Sequence, residues 1–196
     1  DFLDGDLFWD PMIPSMTNND RTEIYKNKNK TLAKLHSVDY KKIGLDDYGK
    51  PGNYVARQVS RWSKQYRASE TDNIEAMNNL IEWLPNNIPD DDETSIVHGD
   101  YRLDNMILKN NKVIGILDWE LSTLGHPIAD FSYHCLSWRT QEAFWDEARL
   151  KELGVPNEKE YMEMYCENTG KDLSKNWEFY MAYNMFKIAG ILQGIL

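Results

Sequence analysis

The spacing of apolar residues along the chain changes its period twice. After an aromatic, proline-punctuated stretch from Phe2 to Pro14, the side chains of Thr17, Asn18, Asn19 and Asp20 are helix-start candidates ahead of Ile24, Leu32 and Leu35. This pattern predicts a helix running to about His36. A turn-rich connection, GLDDYGKPGN, follows. Val55, Val59, Trp62 and Tyr66 then recur at intervals of four, three and four, which places them on one face of a second helix. Arg57, Arg61 and Lys64 repeat those intervals out of phase and predict a basic stripe on the opposite face. Met77, Leu80, Ile81 and Leu84 predict a third helix, stopped by PNNIPDDD.

The period then shortens. SIVHG, NMILK and KVIGILD are brief runs rich in Ile, Val and Leu, and the NN between the last two reads as a hairpin turn. From Pro127 helical spacing returns in PIADFSYHCLSW, EAFWDEARLKEL, EKEYMEMYCENT and WEFYMAYNMFKIAGIL. The expected fold class is α+β and mostly helical, with a small β-hairpin near its middle and no internal repeat.

Charged residues crowd around that hairpin in VHGDYRLDNMILKNNKVIGILDWE. Apolar strands would form a rigid mount, with polar groups at their ends facing a cleft. Asp100 and Asn105 lie on the loop entering the first hairpin strand, and Asp118 closes the second. A tight turn returns the chain, so Asn105 and Asp118 should meet at the same end of the strands. An amide oxygen beside a carboxylate suits Mg2+, which prefers hard oxygen ligands and takes others from phosphate and water. Asp100 is then free to accept a hydroxyl proton. Phosphoryl transfer needs that division between a base and a metal clamp. As turn and cap residues, the same three side chains would also suit a plain hairpin.

Composition narrows the field. The chain has 196 residues, 41% of them hydrophobic, which is enough for one domain with a core. A net charge of -10 argues against a general nucleic-acid binder. No apolar run reaches the roughly 18–20 residues of a membrane span, and DFLDGDLFWD does not resemble a signal peptide. Cys135 and Cys166 lack metal-type spacing and read as two reduced, buried thiols, so a cytoplasmic, reducing setting is expected. Organelle targeting stays open. Both ends fall inside a pattern, and the chain reads as a piece of something longer.

HGDYRLDN followed by ILDWE resembles the HGDxxxxN and downstream Asp motifs of aminoglycoside phosphotransferase-like kinases, which share the protein-kinase fold. FLDGDLFWDPMIP, PGNYVARQVSRWSKQY and LSTLGHPIADFSYHCLSW look like the branch of that family found fused to, or beside, acyl-CoA dehydrogenases. The resemblance implies an ATP- and Mg2+-dependent kinase with a small-molecule hydroxyl substrate. It makes Asp100 the catalytic base, and Asn105 and Asp118 the metal ligands that also bind the nucleotide. Arg102 falls where protein kinases often carry a Lys facing the transferred phosphate, although an ion pair with Asp104 fits it equally. Glu120 would support a second metal or hydrogen-bond the loop, and Trp119 would pack. His98 would buttress the loop, and Asp130 would cap the loop backbone from the following helix.

By the same resemblance, the chain from Asp1 to Leu196 is the C-terminal lobe. Asp1 to Gly5 would follow the interlobe hinge, with Asp1 and Phe2 beside the nucleotide. The N-terminal nucleotide lobe would be absent and the isolated lobe inactive. The branch favours a hydroxy acid or hydroxyacyl-CoA as acceptor and an acyl-CoA dehydrogenase domain as neighbour. The basic stripe would be either a solvated helix face or an attractor for an anionic substrate such as an acyl-CoA. Alternatives are an aminoglycoside kinase and a catalytically silent kinase-like binding module. A metal-dependent phosphohydrolase would need a further ligand cluster. His36 and His134 read as lone core or surface histidines.

Overall fold

The computed structural model describes residues 2–195. Helix α1 spans Asn18–His36 because Thr17 and Asp20 satisfy each other's backbone N–H groups in a capping box. Its inward face carries Ile24, Tyr25, Leu32 and Ala33, and also the polar Lys28 and His36. Helix α2, Tyr54–Ser69, buries Val55, Val59, Trp62 and Tyr66 as their spacing predicts. Helix α3 covers Glu75–Asn86 and buries Met77 and Leu84.

Four short strands follow: β1 (Ser95–Val97), β2 (Met106–Lys109), β3 (Lys112–Ile116) and β4 (Thr123–Gly125). β2 and β3 form the expected antiparallel hairpin, turned by Asn110 and Asn111, both at positive φ. β4 is a strand that sequence pattern did not predict; it pairs antiparallel with β1, Val97 opposite Thr123. The small sheet region therefore contains two separate ladders. Three residues are too few to show an alternation.

The helical remainder is more broken than expected. PIADFSYHCLSW divides into α4 (Pro127–His134) and α5 (Ser137–Thr140). EAFWDEARLKEL divides into a 3-10 turn and α6 (Glu147–Leu153), because the Asp146 side chain caps a new start by accepting from Arg149 N–H at 3.0 Å. Helix α7, Glu158–Thr169, runs from an Asn157–Glu160 capping box to a left-handed Gly170. Helix α8 is Trp177–Gln193. None of the described helices is long and apolar enough to cross a membrane.

Aromatic rings from α1, α4, α7 and α8 fill the core, which places the YHCLSW and FYMAYNMF rings mainly in packing. Phe131 lies flat on Tyr165, centroids 3.9 Å apart. The ring is fully buried, so truncation to Ala would cost about 3–5 kcal/mol. Both cysteines are free, Cys135 buried as expected and Cys166 only half-buried. The basic stripe is also incomplete: Arg57 donates to the carbonyls of Gly52 and Lys50 and so clamps the loop before α2.

Candidate active site

β1 delivers the chain to His98 and Gly99, where the backbone turns sharply. Gly99 has φ +86°, and a Cβ there would sit 2.8 Å from the Leu121 carbonyl oxygen, so a side chain is excluded twice over. Asp130, in the first turn of α4, accepts from His98 N–H at 2.9 Å and Gly99 N–H at 2.8 Å. Its other contact is His36 Nε2 at 3.1 Å, while His36 Nδ1 meets the Tyr165 hydroxyl at 2.6 Å. Burial alone would raise the Asp130 pKa, but the His36 contact and the two N–H donors outweigh it and hold it below the ordinary carboxylate value. The expected cap is thus present. Its link to His36 was not legible in sequence, because the partners are 94 residues apart.

His98 joins two loops. Its Nδ1 accepts from Asp100 N–H at 3.2 Å, so the proton belongs on Nε2, which donates to the Leu117 carbonyl at 2.9 Å. Trp119 packs edge-on against this ring, centroids 4.9 Å apart. One imidazole therefore ties the Asp100 loop to the Asp118 segment, as the buttressing role required.

Asp100 has a largely covered side chain and is oriented by two neighbours. Asn105 Nδ2 donates to its Oδ2 at 3.1 Å and to its backbone carbonyl at 2.9 Å, and Arg102 Nε lies 3.2 Å from Oδ1. Each carboxylate oxygen keeps a lone pair for a further partner. Arg102 also reaches Asp104 at 3.1 Å, so the ion pair weighed as an alternative does form. The guanidinium is 57% exposed, however, and it still borders the loop mouth.

The hairpin register brings Asn105 and Asp118 together. Met106 faces Ile116, and Leu117 N–H donates to the Asn105 carbonyl at 2.8 Å. Asn105 Nδ2 is committed to Asp100, while its Oδ1 has no hydrogen-bond partner among the described residues. Asp118 is exposed, holds a left-handed backbone at φ 62°, and is not hydrogen-bonded through its carboxylate by any described residue. Non-glycine residues in that conformation are strained and concentrate at functional positions.

Glu120 is exposed on the 3-10 turn Trp119–Leu121. The described residues hold no group of three His, Cys, Asp or Glu suited to a metal, so Glu120 does not complete an all-protein cage. The donor set that remains, one amide oxygen and one carboxylate, fits Mg2+ completed by phosphate and water. Phe2 is 92% exposed near a segment whose Asp6 pairs with Leu108, and Asp1 lies outside the described residues.

Residues 1–165 match the model of the phosphotransferase enzyme family. The chain belongs to that family. This phosphotransferase chain is 50% identical to a Ralstonia eutropha protein described as a candidate aminoglycoside phosphotransferase, with a TM-score of 0.94 over 99% of this chain and 61% of the other. A choline kinase from Cryptosporidium parvum shares the fold at 12% identity, TM-score 0.66, over 99% of this chain and 63% of that one. Among curated relatives, mouse acyl-CoA dehydrogenase family member 10 is 44% identical over the whole chain, and human family member 11 is 40% identical over 98% of it. The chain spans only 19% and 26% of those two proteins. Family membership and the shared fold are therefore established over part of the length of these relatives.

Proposed function

We propose that this chain is the acceptor-binding, C-terminal lobe of an ATP- and Mg2+-dependent kinase acting on a hydroxy acid or hydroxyacyl-CoA. The observation that carries the reading is the meeting of Asn105 and Asp118 at adjoining strand ends, with Asp100 held beside them on a buttressed loop. A nucleotide-binding lobe would complete the site. In support, Leu3, Ile114, Leu117, Trp119 and Leu121 leave apolar surface exposed around the hairpin, as a docking face would. The names of the relatives support an acyl-CoA dehydrogenase neighbour, and with it an acyl-type acceptor.

In this reading Asp100 accepts the proton of the acceptor hydroxyl as the hydroxyl oxygen attacks the terminal phosphorus of ATP, and the bond from that phosphorus to the bridging oxygen breaks, releasing ADP. Asn105 and Arg102 fix the carboxylate in place, which removes the cost of orienting it during the reaction. Asn105 Oδ1 and the Asp118 carboxylate would hold Mg2+, with Glu120 as a further carboxylate two residues on. When bound, Mg2+ supplies charge neutralisation on the nucleotide phosphates. Arg102, released from Asp104, turns toward the transferred group.

The test uses the full-length protein with ATP against hydroxy acids, hydroxyacyl-CoAs and aminoglycosides. Asp118→Ala is expected to abolish Mg2+-dependent transfer to the preferred acceptor with an unchanged melting profile. Retained transfer in that variant would contradict the assignment.

A further inference from the structure

A small cavity of about 130 Å³ lies beside the catalytic loop, bordered by Arg102 and Asp104, with Trp138 and Phe144 among its walls. Lys28 of α1 lines it too and is an unusual residue to find there. It is only 3% exposed, and its ammonium rests 4.4 Å above the Tyr25 ring, itself a cavity wall. Among the described residues it has neither a carboxylate within ion-pair distance nor a hydrogen-bond acceptor. Burial lowers its pKa to about 8, with Cys135 and Asp104 acting the other way, so the group remains largely cationic at neutral pH. A cation without an ion-pair partner is costly in a largely buried wall, and the adjoining cavity gives it room for an anion.

The remaining charges define that counter-ion. Asp104 is already engaged by Arg102. His134, also in the wall, spends Nδ1 on the Tyr101 carbonyl and has its pKa lowered to about 3, chiefly by burial, so it adds no charge. Arg102 answers two carboxylates, Asp104 at 3.1 Å and Asp100 at 3.2 Å, so Lys28 is the cation of this wall left without a carboxylate of its own. Asn105, Asp118 and Glu120 are not among the lining residues, so the cavity lies apart from the nucleotide phosphates. It is also far smaller than the roughly 300–1,000 Å³ of sites that enclose a drug-sized ligand, and suits one end of a short molecule.

We infer that Lys28 is the carboxylate-binding residue of the acceptor site, and that the cavity selects a free hydroxy acid over its thioester. The inference rests on the reading of Asp100 as the base. Arg102 connects the two sites, since it lies 3.2 Å from Asp100 and also lines the cavity. A thioester brings no anion to Lys28 and leaves the ammonium unpaired.

The experiment measures binding of short hydroxy acids and their primary amides to the full-length protein by calorimetry without ATP, then repeats the series as acceptors with ATP. The wild type is expected to prefer acid over amide by about tenfold or more, the usual worth of a charge-assisted hydrogen bond. Lys28→Met should erase that preference and raise KM for the acid while kcat holds. Equal binding of acid and amide by the wild type overturns the inference without any variant. Lys187 of α8, whose ammonium lies 4.0 Å over the Tyr133 ring, is the rival cation, and a preference that survives Lys28→Met but is lost in Lys187→Met also overturns the inference. Acid-selective, Lys28-dependent binding without phosphoryl transfer to any acid would instead overturn the kinase reading and leave the subsite standing.

Discussion

Asp130 and Asp118 flank the same loop in opposite surroundings. Asp130 is buried, and its oxygens meet two backbone N–H groups and His36. Asp118 stands in solvent on a strained backbone, with no described residue hydrogen-bonded to its carboxylate. A carboxylate whose lone pairs are filled from within the protein can only position, whereas an open one can bind. Two aspartates of similar appearance in sequence thus divide into a support and, in the proposed reading, a metal ligand. Asp100 stands between them: it is oriented by Asn105 and Arg102 yet keeps lone pairs for a substrate.

The contrast is broken most severely at its midpoint. Asp100→Asn in the full-length protein should lower kcat by about a hundredfold to ten-thousandfold, the usual contribution of general base catalysis, with nucleotide affinity unchanged. Steady-state kinetics beside nucleotide titration reads both. On the support side, Asp130→Ala should cost about 3–5 kcal/mol in chemical denaturation, because it strands the His98 and Gly99 N–H groups and His36.

The Asp130 effect carries a pH signature. Its folded pKa is depressed, so the unfolded chain binds the proton more tightly as pH falls. The stabilisation is complete above about pH 4, near the unfolded value, and is lost as pH drops through the folded one. Asp130→Asn should flatten that acid limb, and denaturation midpoints across acidic pH would show it. The smallest effect is expected at Gly99→Ala, which forces a Cβ against Leu121 at positive φ and should cost about 1–3 kcal/mol. Part of that strain should appear as reduced activity, since Leu121 follows the Asp118 segment.

Much of this arrangement was legible before any coordinates. Asp100, Asn105 and Asp118 announce themselves through spacing and a hairpin that NN closes, and capping side chains mark α1. Tertiary partners do not announce themselves. His36 reads as an isolated helix residue because Asp130 arrives from a distant element. β4 is too short to carry a period, and its pairing with β1 depends on the loop that it helps to fold. Lys28, within KNKNK, looks like a solvated lysine; only the helix phase shared with Tyr25 and Leu32 turns it inward. Arg57 seemed part of a surface stripe until the preceding loop folded over it.

The central claim is that Asp118 and Asn105 present a divalent cation to the nucleotide. It is tested most directly by titrating the full-length protein with a nucleotide across Mg2+ concentrations, for the wild type and Asp118→Asn. The account predicts that Mg2+ tightens nucleotide binding in the wild type and loses most of that influence in the variant. An identical Mg2+ dependence in both proteins would contradict it.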